Sequence, residues 1–282
     1  MAEHGARYAR LGAAAADRGI AVWAPDLRGH GQSVADACPL GHLGDRAGWA
    51  RTVADQLELA RHVADQESGR PLILFGHSMG SLLAQDVLTE VAAPFAGAAL
   101  SAASGPPPPK AQLGRLIARF ERLRRGGRHP SPLLQAMSFG EFNKKISDPR
   151  TAFDWLSRDP AQIDAYVADP LCGFACSTGT WVELLDALPR LAHPTRLGRL
   201  PKDLALYLFC GGGDPVAGFG RGPERLARAW RAAGLTRVET KVYPEARHET
   251  LNETNRDQVV RDLLDWCDRV IAGQEDSLTS RR

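Results

Sequence analysis

The sequence has few cysteines, almost no net charge and no long hydrophobic run, and each scarcity excludes a class of protein. Five cysteines, an odd number spread over 282 residues, do not read as a disulfide framework. A formal net charge of +2 gives no electrostatic reason to expect a nucleic-acid partner, and we expect none. No apolar run approaches the roughly 20 residues that a membrane-spanning helix needs. The N-terminal residues carry no export signal, which predicts a cytoplasmic protein.

A metal site is not indicated by residue spacing. Cys172 and Cys176 lie close enough in sequence to share an ion. A second pair of cysteines or histidines at zinc-finger spacing does not follow them. We therefore expect no metal and no organic cofactor.

Apolar runs of strand length alternate with helical patterns, which is typical of an α/β fold with a parallel sheet. The predicted strands are residues 21–25, 71–75, 98–101, 204–209 and 238–243. The clearest helical patterns cover residues 53–63, 82–91, 223–234 and 259–271. Residues 106–195 continue the helical pattern without a good strand. We predict a core of residues 1–105 and 196–282 with an inserted helical cap over residues 106–195.

The first part of this cap combines an apolar stripe with a strong positive charge. The stripe consists of Leu113, Leu116, Ile117, Phe120 and Leu123. Beside it lie the cations Lys110, Arg115, Arg119, Arg122, Arg124, Arg125 and Arg128 and the single acid Glu121. A basic amphipathic helix binds anionic membrane surfaces, but the same pattern suits the solvent-exposed face of a lid. Peripheral membrane contact is thus one of two open interpretations.

A serine nucleophile is predicted by the segment Gly76-His77-Ser78-Met79-Gly80. This G-x-S-x-G motif follows a predicted strand and precedes a predicted helix, as the motif requires. The tight turn strains the serine backbone, the glycines permit close approach, and the hydroxyl is presented at the carboxyl end of the sheet. A serine hydroxyl is a poor nucleophile at neutral pH and needs an adjacent base.

The remaining members of a catalytic triad follow in the expected chain order. Asp214 lies in the loop after one predicted strand, and His248 lies in the loop after the next. The order Ser, Asp, His is that of the hydrolases that carry this motif. Asp203 and Glu245 are the nearest substitutes for the acidic role, and both are less well placed in their loops.

Two features of these loops allow other interpretations. The Gly211–Gly213 run is compatible with phosphate binding, but the Lys-Ser/Thr pair of a phosphate-binding loop does not follow it. His30 and His77 are alternative bases. Both lie in tight turns flanked by glycine and are interpreted as structural.

These motifs together resemble the α/β-hydrolase fold, and more narrowly the branch of monoacylglycerol lipases and lysophospholipases that includes serine aminopeptidases. The resemblance is carried by residues 24–33, 76–80, 169–174, 213–214 and 246–248. It implies hydrolysis of a carboxylic ester, such as a monoacylglycerol or a lysophospholipid. It also implies that Ser78 is the nucleophile, that His248 acts as general base and then acid, and that Asp214 orients the imidazole.

The resemblance further implies an oxyanion hole formed by the backbone N–H groups of Met79 and Met1. Members of the family carry a His-Gly pair, a hairpin and a central parallel strand before the position that Met1 occupies. Without that strand, residues 21–25 and 71–75 would have unpaired facing edges. We therefore expect Met1 to be an internal methionine of a natural chain that begins upstream.

The cap residues allow more than one function. The predicted acyl-binding residues, which on the alternative interpretation only pack the cap, are Leu133, Leu134, Met137, Phe139, Phe142 and Phe174. Between Glu141 and Asp186 the sequence holds more acids than bases, which suits an aminopeptidase that binds a substrate amine. A catalytically silent binding module is the other alternative, favoured if the chain starts at Met1.

Overall fold

The computed structural model describes residues 1–90, 94–107, 110–191 and 193–279, which fall into two compact units. The first, here called the helical unit, comprises residues 1–52 and 107–190. The second, the sheet unit, comprises residues 53–106 and 191–282. The predicted division into core and cap stays a prediction; the two units differ from it in grouping residues 1–52 with the helical segment.

The sheet unit is built on four parallel strands in the order β1-β2-β3-β4. Their bounds are Leu72–His77 (β1), Phe95–Ser101 (β2), Ala205–Gly211 (β3) and Val238–Tyr243 (β4). His77 pairs with Ser101, and Ser101 pairs with Phe209. This register brings the carboxyl ends of the strands to one edge of the sheet. Four of the five predicted strands are thus confirmed.

The prediction of a strand over residues 21–25 is wrong. These residues form no strand, and Val22 and Trp23 are 42% and 45% exposed. A strand depends on a neighbour that pairs with its backbone N–H and C=O groups. An apolar run indicates a tendency to be buried but says nothing about the presence of such a neighbour, and that is where the sequence argument failed.

Helices connect the strands and form most of the helical unit. Their bounds are Ala9–Ala16 (α1), Gly48–Gln66 (α2), Met79–Glu90 (α3), Lys110–Arg125 (α4), Pro132–Met137 (α5), Phe139–Phe142 (α6), Pro160–Ala168 (α7), Thr178–Leu191 (α8), Pro194–Leu197 (α9), Gly222–Ala232 (α10) and Arg256–Thr279 (α11). Short 3₁₀ turns cover Gly5–Tyr8, Asn143–Lys145, Asp154–Leu156 and Thr250–Asn252. The four helical patterns found in the sequence fall in α2, α3, α10 and α11; Val91, at the end of one pattern, lies outside the described residues.

The core of the sheet unit lies around β2 and β3. Every residue of β3 is buried, as are all but one of β2. Trp230 of α10 and Trp266 of α11 are buried with them. In β4 buried and exposed positions are mixed, as expected for a strand at the margin of a sheet. The central strands therefore give a rigid base for the loops that follow them.

The helical unit has a small apolar core of its own. Ala118 of α4, Leu134 of α5 and Val182 of α8 form a buried cluster, with Ile117 and Trp181 packed against it. The N-terminus of α7 is capped, because the side chain of Asp159 accepts a hydrogen bond from the backbone N–H of Ala161. Within the described ranges, no helix combines the length and the apolar character that a membrane span requires.

Candidate active site

The turn between β1 and α3 holds Ser78 in a strained conformation. Its φ is +54°, in the left-handed region that side chains other than glycine rarely adopt. The Ser78 N–H donates to the carbonyl oxygen of Ser101, 3.1 Å away, which fixes the turn on β2. A Cβ at Gly76 would lie 2.4 Å from the carbonyl oxygen of Gly80, whereas a Cβ at Gly80 would meet nothing within 4 Å. The close approach of β1 to the start of α3 therefore requires glycine at position 76 but not at position 80. This corrects the prediction that both glycines of the motif are needed for close approach.

Ser78, His248 and Asp214 form a continuous relay of hydrogen bonds. Ser78 Oγ lies 2.9 Å from His248 Nε2, and His248 Nδ1 lies 2.9 Å from Asp214 Oδ1. The carboxylate and the imidazole are both buried. Asp214 Oδ1 also accepts from the Val216 N–H at 2.8 Å, which holds the carboxylate in place. An imidazole so oriented carries its proton on Nδ1 and leaves Nε2 free to accept the serine proton.

The glycines before Asp214 are explained by the approach of the histidine loop. A Cβ at Gly211 would lie 2.1 Å from the carbonyl oxygen of Ala246, and a Cβ at Gly212 would lie 2.1 Å from that of Pro244. The loops are also bonded directly, since the Gly213 N–H donates to the Ala246 carbonyl at 2.9 Å. The glycine run therefore has a packing reason here, which is to let two backbones meet.

Two buried hydroxyl groups, those of Ser101 and Thr250, form a chain of contacts with His77 that the sequence did not predict. The His77 ring lies 4.8 Å from the His248 ring, and His77 Nδ1 lies 3.1 Å from Ser101 Oγ. Ser101 Oγ in turn lies 3.3 Å from Thr250 Oγ1. The parallel register, which pairs residue 77 with residue 101, was the signal that could have identified this contact. His77 therefore lies beside the relay, but the imidazole nitrogen within hydrogen-bond distance of Ser78 Oγ is Nε2 of His248.

His30, the other alternative base, is held inside the helical unit. Its Nδ1 lies 3.1 Å from the carbonyl oxygen of Arg28, and the ring of Phe174 packs against it at 5.3 Å. Burial lowers the pKa of His30 to about 4. Asp26 organises the same loop, because its carboxylate accepts from the Gln32 N–H at 2.7 Å. These contacts give the loop a packing role.

The residues predicted for the oxyanion hole and for acyl binding lie in both units. Met79 begins α3 in the sheet unit and is buried, and Met1 belongs to the helical unit. In the helical unit, Leu133 and Met137 are exposed, whereas Leu134 is part of the buried cluster. The functions of all these residues stay predictions.

The three phenylalanines of the predicted acyl-binding set pack against other rings. Phe139 and Phe142 lie 5.6 Å and 4.7 Å from the Trp155 ring. Phe174 packs against His30. These contacts are compatible with packing of the helical unit and with an apolar surface for a ligand.

The acids that suggested an aminopeptidase are largely engaged within the protein. Asp164 accepts from Arg150, Asp169 from His4, and Glu183 from the Trp49 N–H. Glu141, Asp154, Asp159 and Asp186 also have protein partners. A substrate amine would have to displace one of these contacts, which disfavours the aminopeptidase interpretation.

Comparison with known proteins places the chain in a hydrolase family. The family model described as serine aminopeptidase, S33, matches residues 1–255. The chain is 28% identical over 270 residues to the monoacylglycerol lipase of Mycolicibacterium smegmatis, covering 94% of this chain and 84% of that protein.

Solved structures agree with this family. A thermostable carboxyl esterase from Bacillus coagulans superimposes with a TM-score of 0.87 at 26% identity, covering 96% of this chain and 87% of the esterase. The monoacylglycerol lipase of Paleococcus ferrophilus superimposes with a TM-score of 0.66 at 20% identity, covering 96% and 91% of the two chains. The predicted α/β-hydrolase fold is thereby confirmed.

Proposed function

Since the chain belongs to the serine aminopeptidase S33 family and is a carboxylic-ester hydrolase, we propose that it cleaves a monoacylglycerol or a lysophospholipid through an acyl-enzyme on Ser78. The observation that carries this proposal is the relay from Ser78 Oγ through His248 to Asp214, with both contacts at 2.9 Å. The naming of the Mycolicibacterium smegmatis relative as a monoacylglycerol lipase supports the choice of substrate.

The proposed reaction begins with proton transfer from Ser78 Oγ to His248 Nε2 as the oxygen attacks the ester carbonyl. The imidazolium that forms is stabilised by the buried carboxylate of Asp214, and it then protonates the leaving alcohol. A water molecule activated by the same imidazole releases the fatty acid and regenerates Ser78. The N–H of Met79, at the start of α3, is the proposed oxyanion donor.

The apolar side chains that were predicted to bind an acyl chain in residues 133–174 keep that role as a proposal. Leu133 and Met137 support this role because they are large apolar side chains left exposed in the helical unit. Exposed apolar side chains of this size are more costly to leave in water than to cover with a ligand.

Helix α4 supports a further proposal, that the enzyme docks on an anionic lipid surface. Leu113, Leu116, Phe120 and Leu123 are 60%, 63%, 61% and 88% exposed, so they form an apolar stripe in solvent. On the opposite face, Ala118 and Glu121 are buried. A helix that exposes four large apolar side chains and buries its only acid is oriented for an apolar environment rather than for water.

The charges around α4 favour anionic lipid as the occupant. Arg115 and Arg119 contact Asp186, Arg124 and Arg125 contact Glu121, and Arg128 contacts Asp45. The cations outnumber these three carboxylates, so the surface stays positive; the side chain of Lys110 lies outside the described part of the structure. Positive charge beside an apolar stripe matches the headgroups and the acyl region of an anionic bilayer.

Sedimentation with vesicles tests the docking proposal. We expect the protein to bind vesicles that contain phosphatidylglycerol more tightly than pure phosphatidylcholine vesicles, and less tightly at high salt. Replacing Leu116 and Leu123 together by Asp should weaken binding at least about tenfold, because the apolar stripe no longer enters the bilayer. The control is Val167→Asp, at an exposed apolar position on α7. Equal binding by the double variant would refute the docking surface.

Hydrolysis by the wild type and by Ser78→Ala tests the catalytic proposal. We expect turnover of a short-chain nitrophenyl ester and of monoacylglycerol by the wild type. Turnover by the variant should fall by at least about 10⁴-fold, since the nucleophile is gone. A Ser157→Ala variant, at a buried hydroxyl of the helical unit, is the matched control.

The alternatives give different results in the same experiment. A folded wild-type protein that turns over no ester and is not labelled at Ser78 by a serine-directed phosphonate would be a silent binding module. Faster release of nitroaniline from an aminoacyl nitroanilide than of fatty acid from the lipid esters would favour an aminopeptidase.

A further inference from the structure

His4, Asp169 and Cys172 form a compact cluster of metal-ligating side chains in the helical unit. One ligand atom of each, an imidazole nitrogen, a carboxylate oxygen and a sulfur, lies within 4.8 Å of the other two. Imidazole, carboxylate and thiolate are the three kinds of ligand that proteins use for zinc. We propose that this cluster binds one zinc ion and so links the segment at His4 to the loop that follows α7.

The geometry requires only small movements of the side chains. Bonds of about 2.0–2.3 Å in a tetrahedral zinc site separate the ligand atoms by roughly 3.3–3.7 Å. His4 Nε2 lies 2.8 Å from Asp169 Oδ2, so this pair must open by less than an ångström. The ion replaces the direct hydrogen bond between them and draws the sulfur of Cys172 inwards. A water molecule completes the fourth position, as in zinc sites with three protein ligands.

The surrounding backbone already holds the ligands in place. The Leu171 N–H donates to Asp169 Oδ1 at 2.8 Å, which orients the carboxylate and leaves Oδ2 directed at His4. The Cys172 N–H donates to the Asp169 carbonyl at 3.0 Å, so the loop carrying both ligands is closed on itself. Bonds of this type fix the orientation of metal ligands in known sites.

The ends of the cluster are tied together by contacts of Ala2. Its carbonyl oxygen accepts from the Gly173 N–H at 3.0 Å and from the Tyr166 hydroxyl at 2.8 Å. The segment that carries His4 is thus attached to the loop that carries Cys172 without help from an ion. Because the two ligand-bearing segments are already joined, little conformational entropy is lost when a zinc ion binds.

Charge and burial suit a cation. The side chains of His4 and Asp169 are 14% and 31% exposed, which leaves a path for the ion, while Cys172 is buried. Arg7, a cation of the same segment as His4, is paired with Glu3 at 2.7 Å.

This site could not be found from spacing in the sequence. Sequence spacing relates Cys172 only to Cys176 and predicts no metal, but the structure supplies the histidine from a position 165 residues before Asp169. Cys176 is buried and is not a member of the cluster.

Calorimetric titration with zinc chloride, after removal of metal with a chelator, tests the proposal on the full chain. We expect saturable binding of one zinc ion per chain and a rise in the melting temperature when zinc is added. Cobalt in place of zinc should give a thiolate-to-cobalt absorption band that requires Cys172. These readouts do not depend on ester hydrolysis.

Single substitutions identify the ligands. His4→Ala and Cys172→Ala should each weaken zinc binding by more than the roughly 10- to 100-fold that loss of an outer-shell partner costs. The controls Cys176→Ala and His193→Ala, an exposed histidine of the sheet unit, should bind as the wild type does. If His4→Ala fails to fold, the cobalt band of Cys172→Ala decides the question. Absence of one-to-one binding by the wild type, or binding that survives both ligand substitutions, overturns the proposal.

Discussion

In the sheet unit each relay residue lies in the turn or loop that follows a strand, whereas in the helical unit the polar pairs join segments that no sheet register relates. Ser78 follows β1, Asp214 follows β3 and His248 follows β4. In the helical unit His4 bonds Asp169, and His42 lies 2.8 Å from Ser177 Oγ. The first arrangement is fixed by the register of a parallel sheet, and the second by individual side-chain contacts.

This difference predicts where each unit is most sensitive to mutation. In the sheet unit, glycine positions allow backbones to meet, so an added Cβ should disturb the site as much as a lost functional group. In the helical unit, the buried side chains themselves carry the contacts, so their charge state should matter most.

Among the variants that probe this contrast between the units, the largest effect is expected at the carboxylate of the relay. Asp214→Asn should reduce kcat for a nitrophenyl ester by about 10⁴-fold, because the amide favours the wrong tautomer of His248 and does not stabilise the imidazolium. Steady-state kinetics at neutral pH measure this loss.

The two acids that the sequence left as alternatives serve as controls for this prediction. Asp203→Asn and Glu245→Gln, both at exposed positions, should keep kcat within a few-fold of the wild type. A loss of less than tenfold in Asp214→Asn, or a comparable loss in either control, would assign the orienting role to another residue.

A smaller effect is expected from the first glycine of the nucleophile turn. In Gly76→Ala the new Cβ would lie 2.4 Å from the carbonyl oxygen of Gly80, so the turn that carries Ser78 must shift. A displacement of about 1 Å at a nucleophile can cost roughly 10²-fold in rate. The kcat of Gly76→Ala and its circular dichroism spectrum measure the effect and confirm that the protein is folded.

Gly80→Ala is the matched variant within the same motif. Its Cβ meets no protein atom within 4 Å, and alanine is the better helix former, so activity and stability should stay close to the wild type. If both variants lose activity equally, the close approach of Gly76 to α3 is not what the turn requires.

Much of the sheet unit could be predicted from the sequence, and the reason is physical. The strands that became β1, β2 and β3 are apolar runs, as expected for the inner strands of a parallel sheet, whereas β4 mixes apolar with charged residues. Their parallel order brings the loops after them to one edge, so Ser78, Asp214 and His248 could be named without coordinates. Residues 21–25 have the same apolar pattern and form no strand, because pairing depends on a partner that the pattern does not report.

Less of the helical unit could be predicted, because its contacts are not periodic. The apolar stripe predicted on α4 included Ile117, which packs against the buried cluster, and the pattern did not reveal that Leu116 and Leu123 are exposed while Glu121 is buried. The contact of His4 with Asp169 depends on how distant segments pack. No spacing rule links residues so far apart in the chain, so clusters of this kind become visible only in three dimensions.

The smallest of the expected effects concerns stability and belongs to the helical unit. Burial lowers the pKa of His30 from 6.5 to about 4, so the folded protein binds the proton less readily than the unfolded chain does. Between pH 6.5 and pH 4 the unfolded state therefore holds more protons, and the free energy of unfolding falls as the pH falls. The full shift corresponds to at most about 3 kcal/mol, lost progressively over this interval and fully retained above it.

Urea unfolding of the wild type and of His30→Asn between pH 4 and pH 7.5 measures this contribution. The variant should lose part of the pH dependence, since asparagine can keep the hydrogen bond to the Arg28 carbonyl but does not titrate. Some slope should remain, because burial also lowers the pKa of His42. Leu134→Ala is the control: it removes a buried side chain and should lower stability by about 2–4 kcal/mol at every pH without changing the slope. If His30→Asn and the wild type have parallel pH profiles, the proton equilibrium of this buried histidine does not limit the acid stability of the helical unit.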